Sequence, residues 1–477
     1  MYVLPPKTDT MKIAFHGAAR QVTGSKHLLT LSDGTRILLD CGMFQGMGEQ
    51  TDDLNHDFGF DPASVDVLLL SHAHIDHCGL IPKLVKDGFS GQIFSTPASM
   101  ELADILLHDS AEIQTYEADH LNEKRALKNL PPYEPLYTAE DVQAALALFQ
   151  PVEYNEWFEP SASVKAMFTN TGHVAGAAAI NLIVSADGKE TTLTFSGDVG
   201  RYRSVLLQPP AEFPQPDYLI LESTYGDKHH DMLFNHIDEF LTWIKKVCID
   251  RKGKLIIPAF SVGRTQEVLY ALNQLELEKR LPEDLLVFVD SPLSLKATEA
   301  IKKYTGCFND RLQEVLKIDD DPFAFKGLKY VETVAQSRQL KEYEEPCVII
   351  SASGTADAGR VRHHIQGSIE DEKNCVLLVG YCGVHSLGGQ LLNGAREVEL
   401  LGASRTVAAE IGQLKSMSAH GDVDDLCRFL EHLDPAKTKK VFLVHGEYEV
   451  QQALAAKLNL KNFQNVVIPA QHEQYAL

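Results

Sequence analysis

The stretch HAHIDH, residues 72–77, concentrates three histidines and one aspartate within six positions. Chance supplies such a sextet on the order of 10⁻³ times in a chain of this length, so the motif is specific. Imidazole and carboxylate side chains together favour zinc, or manganese and iron where carboxylate dominates. His72 and His74 lie two residues apart on an extended segment and can both reach one ion. Asp76 and His77 then project elsewhere, which fits a second ion better than one crowded site.

Three further candidate ligands follow segments that are typical of strands. They are His173 in TNTGHVAGAAA, Asp198 in LTFSGDVG and His445 in VFLVHGE. Short side chains delivered from strand ends onto one rim have the geometry that a binuclear site needs. Taken singly, each is also consistent with a loop histidine or a turn residue.

The elements that must position these residues form an α/β pattern. The apolar run VDVLLLS precedes the sextet and has the length of a buried strand, and open α/β sheets bind ligands at the carboxyl ends of their strands. From about residue 228 to about 400, helix and strand patterns alternate, which predicts a parallel-sheet domain. The tail then returns to helix, strand and helix. The sequence therefore predicts one α/β domain, residues 1–227 and 401–477, interrupted by another at 228–400.

Composition sets limits on the function classes. The 477 residues carry a net charge of −22, which disfavours non-specific attraction to a polyanion. No apolar run approaches the roughly 20 residues that a membrane span needs. The eight cysteines show no CxxC spacing, which predicts a reducing cytoplasm and no disulfide framework.

Seven motifs occur in order along the chain: DCGMFQG, SHAHIDHCG, NTGHVAGAA, FSGDVG, LESTYGD, SMSAHGD and VHGE. Together they resemble the β-CASP branch of the metallo-β-lactamase superfamily, zinc-dependent nucleases that include RNase J and the endonuclease subunit of the mRNA cleavage and polyadenylation complex. The resemblance covers nearly the whole chain. It implies a metallo-β-lactamase αββα sandwich built from both chain ends, with an inserted Rossmann-like β-CASP α/β domain acting as a lid.

The resemblance also implies two zinc ions per chain, with manganese or iron as alternatives. The first ion would be held by His72, His74, His173 and Asp198. The second would be held by Asp76, His77, His445 and a bridging Asp198. Asp40 in LLDCG would orient the site by hydrogen bonds to a ligand rather than bind metal itself.

Catalytic roles follow from the same motifs. His420 in SAHGD would protonate the leaving ribose oxygen, and Glu222 in LESTYG would orient that imidazole. Asp76 belongs to both the metal and the catalytic sets. A histidine at position 445 is typical of the RNA-processing members, whereas the DNA-repair members typically carry an apolar residue there.

Two strand-to-helix turns carry candidate phosphate contacts: Ser261 and Arg264 in AFSVGRTQ, and Gly354 and Arg360 in SASGTADAGR. Backbone N–H groups and an arginine at such a turn can hold a phosphate. Ordinary helix caps and packing glycines are the alternative interpretation. Family members often carry a basic residue where this chain has Gly389, so no basic contact is expected from that position.

The expected activity is zinc-dependent hydrolysis of RNA, as an endonuclease, a 5′–3′ exonuclease or both, in RNA processing or decay. One alternative is a metallo-hydrolase of a non-nucleic-acid ester, but such enzymes lack a long insert, and 222 residues (420 − 198) separate Asp198 from His420 here. The other alternative is a non-catalytic RNA-processing scaffold, although every ligand position is filled. RNA is the expected partner, with no membrane, and family analogy predicts a homodimer.

Overall fold

The computed structural model describes residues 10–186, 188–230, 236–380, 382–383, 385–414 and 418–477. The chain divides into two compact units. The first unit contains the chain up to Tyr202, together with Pro209–His229 and His420–Leu477. The second unit contains Arg203–Gln208 and His230–Ala419.

Strands and helices are numbered along the chain. The strands are β1 Lys12–Phe15, β2 His27–Thr30, β3 Arg36–Leu39, β4 Val67–Leu69, β5 Gln92–Ser95, β6 Phe149–Pro151, β7 Phe158–Ser161, β8 Val164–Asn170, β9 Ala178–Ala186, β10 Lys189–Phe195, β11 Tyr218–Glu222, β12 Lys254–Pro258, β13 Leu286–Asp290, β14 Leu328–Tyr330, β15 Cys347–Ser351, β16 Cys375–Leu378, β17 Glu397–Leu400, β18 Ala403–Thr406, β19 Glu410–Gln413, β20 Lys440–Val444, β21 Val466–Val467 and β22 Glu473–Ala476. The helices are α1 Thr51–His56, α2 Ile75–Cys78, α3 Ile81–Lys86, α4 Pro97–Ala126, α5 Ala139–Leu146, α6 His236–Ile244, α7 Arg264–Leu277, α8 Pro292–Ile301, α9 Asp310–Val315, α10 Val334–Glu342, α11 Val361–Gln366, α12 Leu387–Leu392, α13 Val423–Phe429 and α14 Tyr448–Leu460.

The first unit is built on two seven-stranded sheets. Their strand orders are β22-β1-β2-β3-β4-β5-β6 and β21-β20-β11-β10-β9-β8-β7. Both sheets combine the two ends of the chain, because β22 pairs with β1 and β20 pairs with β11. Strands β3 to β6 are parallel neighbours, as are β10, β11, β20 and β21. Their carboxyl ends therefore deliver residues to one edge of each sheet.

One apolar cluster lies between these two sheets. Phe15 and Leu39 reach it from the first sheet, and Phe168, Ile180 and Phe442 reach it from the second. Helices α13 and α14 cover the outer face of the second sheet through a separate buried cluster. Helix α4 packs against β6 at the first sheet. Two sheets face to face with helices outside form the predicted αββα sandwich.

The second unit carries a six-stranded sheet in the order β14-β13-β15-β12-β16-β19. Every neighbouring pair in it is parallel. Each connection between these strands runs through one or more helices, which is the predicted Rossmann-like architecture. Strands β17 and β18 form a separate antiparallel pair.

The sequence placed the domain boundaries after residues 227 and 400. In the structure the second unit continues to Ala419, because β19 pairs with β16 of the central sheet. Residues 203–208 also belong to that unit, since Leu207 forms a β-bridge with Phe308. Neither the β16–β19 pairing nor the Leu207–Phe308 bridge can be predicted from the local sequence. Within the described residues, no helix combines the length and the apolar character that crossing a bilayer requires.

Candidate metal centre

The HAHIDH stretch changes its backbone conformation part-way along. Strand β4 ends at Leu69, and His74 still has extended dihedrals, with φ −61° and ψ 145°. Helix α2 then begins at Ile75 and contains Asp76 and His77. Asp76 and His77 therefore project from a helical turn, whereas His72 and His74 project from extended chain; the rings of His72 and His77 still lie against each other, with centroids 4.0 Å apart.

Four side chains form a first ligand group: His72, His74, His173 and Asp198. Nε2 of His72 lies 3.1 Å from Nδ1 of His74, and Nε2 of His173 lies 3.2 Å from that same atom. Oδ2 of Asp198 lies 3.5 Å from His72 Nε2 and 3.4 Å from His173 Nε2. All four ligand atoms lie within 4.8 Å of one another. This separation suits four donors around one cation.

Asp76, His77 and His445 form a second group. Nε2 of His445 lies 3.1 Å from Nε2 of His77 and 3.4 Å from Oδ2 of Asp76. Oδ1 of Asp198 faces this group, at 3.3 Å from His77 Nε2 and 3.6 Å from His445 Nε2. Asp198 therefore directs one carboxylate oxygen to each group.

The donor set fits cations. Asp198 is 2% exposed, and its Oδ1 is buried without a hydrogen-bond partner although four ring nitrogens of the two groups lie close to the carboxylate. A buried carboxylate oxygen left in this way costs free energy unless a charge satisfies it. Imidazole nitrogens and carboxylate oxygens are the ligands that zinc binds.

The charges of the site agree with this fit. Burial lowers the pKa of His72 and of His173 well below the usual value, which leaves neutral rings with a free lone pair. Burial opposes ionisation of Asp198, but His445 and His77 outweigh it and hold the pKa of that carboxyl well below its usual range. Burial also opposes protonation of His77, yet Asp198 and Asp40 raise its pKa well above the usual value. A cation bound there releases that proton.

Two site residues have left-handed backbone conformations that are uncommon outside glycine. Asp40 has φ 59° and His445 has φ 54°. Hydrogen bonds hold both in place: the N–H of Asp40 donates to the Leu69 carbonyl at 3.0 Å, and the N–H of His445 donates to the Ala18 carbonyl at 2.7 Å. Such conformations cluster at functional sites because the surrounding structure must enforce them.

Asp40 belongs to neither ligand group, but its carboxylate accepts hydrogen bonds that orient the imidazoles of both groups. Its Oδ2 accepts from Nδ1 of His77 at 2.6 Å and from Oγ of Ser71 at 2.8 Å, and its Oδ1 accepts from the Ser71 N–H at 2.7 Å. Oγ of Ser71 in turn lies 3.1 Å from Nδ1 of His72. One carboxylate thus orients an imidazole in each group, directly for His77 and through Ser71 for His72.

A second hydroxyl supports the other side of the site. Oγ1 of Thr224 lies 2.9 Å from Nδ1 of His445, which orients Nε2 toward the second ligand group. Ser71 and Thr224 are not among the site residues predicted from the sequence. Their positions could have indicated them, because Ser71 directly precedes the sextet and Thr224 lies two residues after Glu222.

The loop after Asp40 packs backbone against backbone on helix α2. The N–H of Cys41 donates to the His77 carbonyl at 2.8 Å, and a Cβ added to Gly42 would lie 1.6 Å from the Asp76 carbonyl oxygen. Nζ of Lys26 donates to the Gly42 carbonyl at 3.0 Å. Lys26 is fully buried, and burial lowers its pKa to about 8. A glycine and a buried lysine thus fix the loop that carries Asp40.

His420 and Glu222 form a pair beside the ligand groups. Nδ1 of His420 donates to Oε1 of Glu222 at 3.0 Å, and Nε2 lies 3.8 Å from Oδ2 of Asp198. Glu222 is fully buried and also accepts from the N–H groups of Val199 at 2.8 Å and Thr224 at 3.0 Å. Burial opposes the charge on His420, but Glu222 and Asp198 raise its pKa to about 9. This imidazole is therefore protonated at neutral pH.

The four predicted phosphate contacts all lie in the second unit. Arg264 is buried and forms an ion pair with Glu267. Arg360 donates to Oδ1 of Asp290 at 2.7 Å and to two backbone carbonyls. Both guanidinium groups therefore have protein partners, and a direct phosphate contact from them stays a prediction.

The other two predicted contacts also have internal partners. Oγ of Ser261 lies 3.2 Å from Oγ of Ser291. Gly354 lies under the ring of Phe260, where a Cβ would meet a ring carbon at 2.6 Å. Gly389, which stands where a basic residue was expected, is buried in α12.

Three family models match this chain. Residues 25–287, more than half of the chain, match the family model described as the metallo-β-lactamase superfamily. The chain belongs to the metallo-β-lactamase superfamily. Residues 265–391 match the β-CASP domain, which places this superfamily member in the β-CASP branch. Residues 405–469 match the Zn-dependent metallo-hydrolase RNA specificity domain.

Curated relatives of this β-CASP protein resemble it over most of its length. Ribonuclease TTHA0252 of Thermus thermophilus is 35% identical over 94% of this chain and 96% of its own length. The RNase J-like protein of Methanocaldococcus jannaschii is 30% identical over 91% of this chain and 92% of its own. Transcription termination factor FttA of the same organism is 28% identical over 92% of this chain and 67% of its own.

Proposed function

We propose that this β-CASP protein is a ribonuclease that hydrolyses RNA phosphodiester bonds with two zinc ions. The observation that carries the proposal is Asp198, whose two oxygens each face one ligand group while His420 stands beside it. A carboxylate in this position could serve as a ligand to both cations, and both would then lie near the His420 imidazole. That combination suits a reaction with an anionic substrate and a poor leaving group.

The residues proposed to hold the ions are those of the two groups. The first ion would be held by His72, His74, His173 and Asp198, and the second by Asp76, His77, His445 and Asp198. When bound, two zinc ions supply Lewis acidity to the phosphodiester and lower the pKa of a water molecule toward neutrality. Asp40, Ser71 and Thr224 fix the imidazoles that the ions require.

His420 is the proposed general acid. Its protonated Nε2 points toward the ligand groups, while its Nδ1 is held by Glu222. The proton on Nε2 passes to the ribose oxygen as the P–O bond breaks, which removes the need to expel an alkoxide. Burial opposes the charge on His420, but the Glu222 carboxylate raises its pKa and so favours the protonated form, and the same carboxylate keeps Nδ1 as the donor to itself.

RNA is the substrate class that the comparisons favour. Two of the relatives are named as a ribonuclease and as RNase J-like, and the C-terminal family match is described as an RNA specificity domain. The net charge of −22 opposes non-specific binding of a polyanion, so affinity must come from the bound cations and from local contacts. A homodimer remains a prediction from the family resemblance, and a cytoplasmic location remains a prediction from the cysteine pattern.

The decisive variant is His420→Ala. We expect it to abolish cleavage of RNA while zinc content, measured by mass spectrometry, stays near two per chain. His108→Ala is the matched control, because His108 lies on helix α4 outside the site and pairs with Asp104. Normal cleavage by His420→Ala shows that another group is the acid.

Substrate and mode are tested with RNA labelled at the 5′ or 3′ end and with matched DNA. Release of mononucleotides indicates an exonuclease, and internal fragments indicate an endonuclease. Turnover of neither RNA nor DNA by the zinc-loaded protein overturns the proposal.

A further inference from the structure

The central sheet of the second unit has a point where the direction of its connections reverses. From β12, helix α7 leads to β13, which lies two places to one side. From β15, helix α11 leads to β16, two places to the other side. Right-handed crossovers in opposite directions place these helices on opposite faces of the sheet. The crevice outside the carboxyl ends of the adjacent strands β12 and β15 is where such sheets bind ligands.

Phe260 occupies this crevice. It follows β12, and its ring lies against Gly354, which follows β15. A Cβ at Gly354 would lie 2.6 Å from the ring, so only glycine lets the ring settle there. The Phe260 carbonyl accepts from the N–H of Thr265 at 3.1 Å and from its Oγ1 at 2.8 Å. The backbone and one side of the ring are therefore held in place.

Part of the Phe260 side chain is exposed to solvent. Its side chain is 40% exposed, whereas Phe240, Phe308 and Phe323 of the same unit are at most 1% exposed. Leaving an aromatic ring partly in water forfeits part of the free energy that its burial would contribute. A fixed, exposed ring at the ligand crevice of a sheet is what a flat ligand with a π face would use.

The charged side chains near this crevice indicate which kind of flat ligand it would bind. Arg264 and Arg360 flank it in sequence, but their charges are satisfied by Glu267 and Asp290. The two arginines beside this crevice are therefore already paired within the protein. A nucleobase, in contrast, stacks on an aromatic ring without any charged partner. Stacking therefore supplies a contact with RNA that does not depend on these two arginines.

We propose that Phe260 stacks on an unpaired base of the RNA substrate, with Gly354 setting the position of the ring. This inference rests on the proposed ribonuclease function and adds a binding residue in the second unit. The contact is tolerant of base identity, because every base has a π face. It also predicts a preference for single-stranded over duplex RNA, whose bases are already stacked.

The test is equilibrium binding of a fluorescent single-stranded RNA decamer to Phe260→Leu, made in the His420→Ala background so that the RNA is not consumed. We expect the Kd to rise roughly tenfold, by the same factor at low and moderate salt, because stacking involves no counterion release. Phe260→Tyr and Phe260→Trp should bind like the parent. Trp157→Leu, an aromatic of the first unit that is 45% exposed, is the control.

An abasic scan of the decamer completes the test. One abasic position should weaken binding to the parent by a similar factor and leave binding to Phe260→Leu unchanged, as a double-mutant cycle requires. Equal affinity of parent and Phe260→Leu overturns the inference, and so does equal loss in Phe260→Tyr, which indicates a shape-specific protein contact instead. An RNA that the zinc-loaded protein with His420 intact neither binds nor cleaves overturns the proposed function itself.

Discussion

Replacing Asp40 with asparagine tests how the second ligand group depends on one neighbouring carboxylate. Oδ1 of Asp40 accepts from the backbone N–H of Ser71, a donor that cannot reverse. The amide oxygen of Asn must therefore take that position, and its NH₂ must face Nδ1 of His77, which now donates to Oδ2 at 2.6 Å. His77 has to accept at Nδ1 and carry its proton on Nε2. That is the atom that faces His445 and Asp198.

The expected loss is specific to one ion. A protonated Nε2 cannot bind a cation, and outer hydrogen-bond partners of this kind are worth about 10- to 100-fold in metal affinity. We therefore expect one zinc ion to bind roughly 100-fold more weakly in Asp40→Asn. The group of His72, His74 and His173 should keep the other ion. Asp40→Ala differs, because it leaves three buried donors of Ser71 and His77 without an acceptor and should cost about 3 kcal/mol or more of stability.

Zinc affinity is measured by competition with a chelator, and stoichiometry by mass spectrometry. Asp290→Asn is the matched control, since Asp290 is also fully buried and accepts from His364 at 2.6 Å, but in the second unit. That variant should keep both zinc ions. Two ions bound by Asp40→Asn with parental affinity would show that the His77 tautomer does not depend on Asp40.

Two other predictions follow from the loop beside α2. Lys26→Met should be more stable than the parent at pH 7, because the folded state lowers the pKa of Lys26 from 10.5 to about 8 and so disfavours its charge by up to about 3 kcal/mol. This advantage is fully present below pH 8 and should vanish as the pH rises to 10.5; a difference in urea midpoints that does not change with pH contradicts it. Gly42→Ala should cost about 3 kcal/mol or more and weaken zinc binding, since the added Cβ meets the Asp76 carbonyl backbone, which no rotamer change can move. Gly306→Ala, with open space around its Cβ, should leave thermal unfolding and zinc content unchanged.

Local spacing explains why part of the site could be predicted from the sequence. The sextet follows a strand directly, so a change from extended chain to helix after His74 was enough to separate two pairs of ligands. His173, Asp198 and His445 follow the carboxyl ends of β8, β10 and β20, which run in the same direction in one sheet and so bring these ends to one edge. The family motifs added His420 and Glu222, which the structure brings within 3.0 Å of each other.

Other features depend on contacts that no local pattern contains. Lys26 directly precedes strand β2, and the sequence around it gives no sign that it is buried. Its amino group is held by the Gly42 carbonyl and by the Phe44 ring, whose centroid lies 4.1 Å away. Phe260 lies next to Ser261 and Arg264, which the sequence predicted as phosphate contacts, and Phe260 itself was not predicted to bind a ligand. Its contact with Gly354 arises only because β15, formed by a segment some 90 residues later, lies beside β12 in the sheet.

The pairing of both chain ends in the first unit also fixes when activity can arise during synthesis. His445 follows His72 by 373 residues (445 − 72), with the whole second unit between them, and its N–H binds the carbonyl of Ala18. Once residue 198 is made, a nascent chain contains all four residues of the first ligand group, but it cannot complete the second before residue 445. For the proposed nuclease this means that no chain that stops before residue 445 can hold the complete second ligand group.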